Sequence, residues 1–100
     1  MRAKRVIWSE QAIDSLKEHF DFIKADSPKA AEIVKFEIIR ASKSLSTNSE
    51  RFQLDEYYPN NPGSIRRFFK WSYRIVYQVS DYEVQILNVL HTSQEPDNTD

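Results

Sequence analysis

Three runs rich in β-branched and aromatic residues, 65–70, 73–79 and 84–91, stand almost end to end in this chain. Only Trp71-Ser72 separates the first two, and only Ser80-Asp81-Tyr82-Glu83 the next. Such links suit hairpins and are too short for crossovers, so the segment predicts an antiparallel three-stranded meander. Its charge is as constrained as its geometry. From Tyr57 to Ser80 there is no Asp or Glu, while Arg66, Arg67, Lys70 and Arg74 supply four positive charges. A sheet built for stability alone seldom concentrates cations in this way, and the block makes a local anion-attracting field.

Two helical patterns precede the meander. Ser9 is placed as an N-cap, Glu10 suits the positive end of a helix dipole, and Ala12, Leu16, Phe20 and Ile23 recur at helical spacing with Ile13 widening the stripe. These signals predict an amphipathic helix over 10–25. Ser27 then caps a second helix with Pro28 at its first position, where a missing N–H costs nothing. Ala31, Val34, Ile38, Ala41 and Leu45 carry its stripe, and Ser46-Thr47-Asn48-Ser49 breaks it, predicting a helix over 28–45. The short Asp26-Ser27-Pro28 link makes the two an antiparallel hairpin. A short β-rich run over 4–8 opens the chain, and 46–64 is a long connection with the turn-rich Tyr58-Pro59-Asn60-Asn61-Pro62-Gly63 within it. The expected class is α+β, in the order β-α-α-β-β-β, with the helical hairpin on a largely antiparallel sheet of three to four strands.

Composition narrows the function. One hundred residues make one small domain, expected over 1–94, with 95–100 an acidic tail and the chain frayed from Thr92 onward. There is no cysteine, hence no thiolate chemistry, and no apolar run approaches the ~20 residues of a membrane span. The N-terminal apolar run is too short for a signal peptide, so a cytoplasmic location is expected. The net charge of −1 hides a segregation: residues 1–94 hold 14 basic against 12 acidic side chains, and Glu95, Asp97 and Asp100 make the rest acidic. Any polyanion recognition must be local to the strand block. Gly63 is the single glycine, which excludes glycine-rich phosphate loops, and His19 and His91 lack metal-ligand spacing. No cofactor is expected.

The chain resembles the RelE/ParE family of bacterial type II toxins, also met as plasmid stabilisation proteins. The resemblance covers nearly the whole chain and lies in Val6-Ile7-Trp8-Ser9 with Ala12 and Leu16, Ser27-Pro28 with Ala30-Ala31, Arg66-Arg67-Phe68, Tyr73-Arg74-Ile75-Val76-Tyr77 and Leu87-Asn88-Val89-Leu90-His91-Thr92. It implies a toxin held by a cognate antitoxin, an acidic or amphipathic segment that folds on binding, in a homodimer or a heterotetramer with that antitoxin. It also implies one of two targets. One branch cleaves mRNA on the ribosome without a metal; the other poisons DNA gyrase. A third reading keeps only the fold and the antitoxin groove, as a nontoxic binding module.

On the ribonuclease reading the resemblance makes Arg74 the arginine at the scissile phosphate, with His91 as general acid and Lys70 beside them. A guanidinium suits a phosphate whose charge grows in the transition state. The bland reading of Arg74 is a structural pair with Asp55 or Glu56. Arg66, Arg67, Lys70 and Arg74 are also candidates for binding phosphate or antitoxin, although Arg66 and Arg67 must point to opposite faces. Glu50 and Glu56 are loop candidates for a general base. Tyr57, Tyr58, Phe68, Trp71, Tyr73 and Tyr77 are candidates for stacking on bases, or else core and rim. His19, beside the helical stripe, is read as structural. No Lys or Arg follows Arg74, where the ribonuclease branch places further catalytic groups, which favours the gyrase-directed, ParE-like branch.

Overall fold

The computed structural model describes residues 3–94; the expected acidic tail at 95–100 lies outside them. Strand β1 (Arg5–Trp8) leads into helices α1 (Glu10–Lys24) and α2 (Pro28–Lys43), and strands β2 (Ile65–Lys70), β3 (Tyr73–Val79) and β4 (Glu83–His91) follow. Both capping serines behave as expected: Ser9 Oγ accepts from Ala12 N–H at 3.0 Å and Ser27 Oγ from Ala30 N–H at 3.1 Å. The second helix closes two residues before the sequence pattern does. Ser44–Ser46 tightens into a 3-10 turn, which drops Leu45 into the core. Thr92–Gln94 is another 3-10 turn, and Thr92 N–H donates to Ser72 O at 2.8 Å.

The sheet order is β1-β4-β3-β2. The meander pairs antiparallel, as the short links require, while β1 runs parallel to β4. Both helices cover one face. There Leu16, Ile38, Leu45, Phe68, Ile75, Tyr77, Val84, Ile86 and Val89 form the core. Each large aliphatic side chain buried there stabilises the fold by roughly 1.5–3 kcal/mol. A register shift opposite Val76/Tyr77 leaves Leu87 without a cross-strand partner. Ser9 Oγ donates to the Leu87 carbonyl at 3.0 Å, Ser15 Oγ donates to Asn88 Oδ1 at 2.7 Å, and His19 Nε2 lies 2.9 Å from Val89 O. A row of small polar groups therefore stitches α1 to β4. His19 is structural, as the sequence reading had it.

Candidate functional site

Alternation along β3 decides where the candidate cations go. Tyr73, Ile75 and Tyr77 face the helices, so Arg74 and Val76 face the other side. A bare sheet face there would strand Arg74 in solvent. Instead the 47–64 connection folds back as a strap. Its centre adds a short antiparallel bridge to the β2 edge, Leu54 opposite Arg66, with Asp55 N–H donating to Ile65 O at 2.9 Å and Arg67 N–H to Gln53 O at 3.0 Å. This register aims Asp55 onto the Arg74 side, where the two form a buried, hydrogen-bonded ion pair. The Tyr57 ring lies 4.7 Å from the Arg74 guanidinium carbon. Asp55 is 3% exposed and Arg74 4%.

The remaining strap contacts use the same cation block. Arg67 bonds Glu56 through Nε at 3.0 Å and Nη2 at 3.1 Å, and Gln53 Oε1 at 2.9 Å. Those hydrogen bonds hold the Glu56 carboxyl down to about 2, helped by its own backbone N–H. Arg66, on the helix-facing side, donates to Phe52 O. Asn61 clamps the turn: its Nδ2 donates to Asp55 O and Ile65 O, and its Oδ1 accepts from Gly63 and Ile65 N–H. Gly63 sits at φ 96°, the region glycine enters without strain. Tyr77 reaches from the core to donate to Ser49 O at 2.7 Å, and burial pushes its hydroxyl up to about 12. The acid-free strand block is thus largely the anchorage of a loop that brings its own carboxylates.

Lys70 and His91 lie on the opposite face from Arg74. Both flank Tyr73 in register. The Tyr73 ring meets His91 edge-on at 5.1 Å and His19 at 5.0 Å. Burial raises the Tyr73 hydroxyl above its ordinary value. Lys70 Nζ stands 3.5 Å from Glu37 on α2, and His91 Nδ1 accepts from the Ser93 N–H at 3.1 Å. An open cleft of about 500 Å³ beside this row is lined by Glu18, His19, Phe22, Ile23, Tyr73, His91 and Ser93. The proposed catalytic trio is therefore divided: Lys70 and His91 share one face, and Arg74 lies across the sheet from them. Of the candidate bases, Glu56 is committed to Arg67 and Glu50 is exposed. Of the stacking candidates, Phe68, Tyr73 and Tyr77 belong to the core, while Tyr58 and Trp71 are exposed. Among the described residues no three His, Cys, Asp or Glu cluster as a metal would need, and no helix is long and apolar enough to cross a membrane.

A larger feature went unread in the sequence. Trp8, Ile13, Leu16, Phe20 and Ile39 line a groove of about 610 Å³ at the helical hairpin, with Lys17, Lys35 and Asp21 on its rim. Lys24 and Lys35 stand 5.9 and 5.3 Å from the Phe20 ring centre. The available signal was the width of the apolar stripe on α1: Ile13 exceeds what one sheet-facing side can bury, lines the groove and remains 53% exposed.

Comparison with known proteins agrees with this architecture. The model of a family described as the ParE toxin of the type II toxin–antitoxin system parDE matches residues 6–96. None of the curated proteins matches the sequence. Among solved structures, a chain of the chromosomal ParDE toxin–antitoxin system from P. aeruginosa superposes with a TM-score of 0.73 at 18% identity, covering 89% of this chain and 96% of that one. The RelBE2 toxin–antitoxin complex of Mycobacterium tuberculosis gives 0.62 at 20% identity, covering 91% and 93%. The YoeB dimer from Staphylococcus aureus gives 0.52 at 19% identity, covering 86% and 93%. At these identities the structural likeness speaks for the fold.

Proposed function

We propose, from the premise that this chain belongs to the ParE toxin family of type II toxin–antitoxin systems, that it arrests growth without cutting RNA, by a ParE-like action on DNA gyrase. One observation carries the choice. The arginine that the ribonuclease reading needs at the phosphate is buried against Asp55, with Lys70 and His91 on the far side of the sheet. Groups on opposite faces cannot converge within the ~3 Å that phosphoryl chemistry requires. The ribosome-dependent endoribonuclease remains as a second reading because Lys70, Tyr73 and His91 do share one face beside an open cleft.

Induced expression in bacteria separates the readings. Growth arrest with intact transcripts and gyrase-linked DNA breaks is the expected result. Codon-phased transcript cleavage, abolished by His91→Ala, would replace it with the nuclease. Normal growth with soluble protein present would reduce the chain to a nontoxic binding module.

The toxin's partner is an antitoxin, and its seat on this reading is the groove at the helical hairpin rather than the strand cations that the sequence put forward. Trp8, Ile13, Phe20 and Ile39 offer apolar contact, and Lys17 and Lys35 favour an acidic, amphipathic segment. Lys17→Glu with Lys35→Glu should weaken neutralisation by the product of the adjacent reading frame while leaving toxicity intact. Unchanged neutralisation would move the seat elsewhere.

A further inference from the structure

Helix α2 turns a phenylalanine straight away from the core. Ala31 and Ile38 are buried on its inner side, and Val34 and Ala41 pack against the same core. At 3.6 residues per turn, Phe36 lies on the opposite side from these four, and it is 63% exposed. The outward side of a surface helix is ordinarily polar. Here Phe36 and the half-buried Ile39 form, with Glu32, Lys35, Arg40 and Lys43, the lining of a hollow of about 340 Å³. Two of these residues, Lys35 and Ile39, also line the groove at the helical hairpin. The two recesses therefore meet across a single rib. Lys35 leans to the groove side of that rib, its Nζ 5.3 Å from the Phe20 ring centre.

Charge decides what can cover this face. Lys35, Arg40 and Lys43 rim the hollow against the single carboxylate of Glu32, and Lys29, seven positions before Phe36, adds a further cation on the same side. Arg40 holds Glu37 at 2.8 Å in a solvent-exposed pair, which an incoming carboxylate can replace. Two copies of the face would set like charges against each other, so a symmetric dimer is disfavoured. A recess also calls for a projecting side chain, which a lipid surface does not offer. An acidic segment carrying an apolar residue fits both the charge and the shape. An exposed aromatic within a ring of charge has the composition of a protein-interface hot spot.

We infer that the antitoxin does not end in the groove: its acidic, amphipathic segment crosses the rib of Lys35 and Ile39 and seats an apolar side chain beside Phe36, with carboxylates towards Arg40 and Lys43. The inference rests on the groove being the antitoxin's seat. From Lys35 to Lys43 the crossing follows the helix for roughly 12 Å at 1.5 Å per residue. Isothermal titration of the purified full chain with the product of the adjacent reading frame tests it. Wild type is compared with Phe36→Ser, with Arg40→Glu and Lys43→Glu together, with Ile13→Ser in the groove alone, and with Tyr82→Ser as a control on the β3–β4 link, where Tyr82 is 73% exposed. The Phe36 ring points into solvent, so Phe36→Ser should keep the wild-type Tm. It should nevertheless bind at least about tenfold more weakly. The double charge reversal should weaken binding by about tenfold, and more so at low salt. Ile13→Ser should also bind more weakly, and Tyr82→Ser as wild type.

Wild-type affinity in Phe36→Ser and in the charge reversal, with weakening in Ile13→Ser alone, overturns the crossing and leaves the groove standing. Wild-type affinity in all of them overturns the groove and the crossing together. Equal weakening in Tyr82→Ser overturns the specificity of the face. A wild-type dimer in light scattering that Phe36→Ser converts to a monomer would give the face to a second copy and overturn the antitoxin. Co-sedimentation with phosphatidylserine vesicles that Phe36→Ser abolishes would give it to a lipid surface, with the same consequence.

Discussion

Asp55→Ala tests most sharply how the open face of the sheet is organised. Asp55 and Arg74 are 3% and 4% exposed, so the substitution leaves a buried guanidinium without its carboxylate. Removing one member of a buried pair costs about 3–5 kcal/mol, because the remaining charge sits in a medium that solvates it poorly. That is a large share of the roughly 5–15 kcal/mol that holds a domain folded. Each kcal/mol lowers the Tm of a chain this size by about 4–8 °C, so the variant should melt well below the wild type. Replacing both partners, Asp55→Leu with Arg74→Met, removes the charges together and is expected to fall within about 1 kcal/mol of wild type or above it. Urea unfolding at pH 7, followed by far-UV circular dichroism over the four-membered cycle, measures both effects. A loss below about 1 kcal/mol in Asp55→Ala would mark the pair as solvent-screened. Arg74 would then be available to an outside phosphate, as the ribonuclease reading requires.

Three further outcomes follow from the strap. Arg67 depresses the Glu56 carboxyl to about 2, so this ion pair contributes its stability above the ordinary carboxylate range and loses it as pH falls towards about 2. Glu56→Gln should flatten the pH dependence of the unfolding free energy in that window by no more than about 1 kcal/mol, since the side chain is 54% exposed; an identical curve would refute the coupling. Asn61→Ala removes four hydrogen bonds from the turn, and amide exchange at Gly63 and Ile65 should accelerate while α1 amides keep their protection. Uniform protection would show that the strap holds without its clamp. Tyr77→Phe leaves Ser49 O without its buried donor and should cost about 1–3 kcal/mol. Because burial raises the Tyr77 hydroxyl, its share of stability is complete below about 10 and is lost as pH rises through about 12. Equal alkaline unfolding of wild type and Tyr77→Phe would contradict that.

Much of the fold was legible because its signals are local. Ser9 and Ser27-Pro28 mark the helix starts through caps that span three residues. The brevity of Trp71-Ser72 dictates the pairing of β2 with β3 before any tertiary contact is considered. The end of α2 was read too late because Leu45 keeps the apolar rhythm while its backbone has already tightened to a 3-10 turn. Strand alternation also separated Arg66 from Arg67. It did not say which side either faced, because that depends on where the helices settle.

What the sequence determined alone was the order of elements, the meander and a concentration of cations on it, all consequences of periodicity and short links. What only the tertiary structure decided was what those cations are for. The strap residues Asp55 and Glu56 lie 19 and 11 positions from Arg74 and Arg67, across a loop whose closure no local pattern encodes. The placement of β1 beside β4, and with it the apolar groove against the hairpin, likewise follows from long-range pairing. A block that reads in one dimension as bare positive charge is, once folded, largely matched by the carboxylates of its own loop and of α2. Away from that strap, the folded chain exposes a lysine-rimmed apolar groove at the helical hairpin.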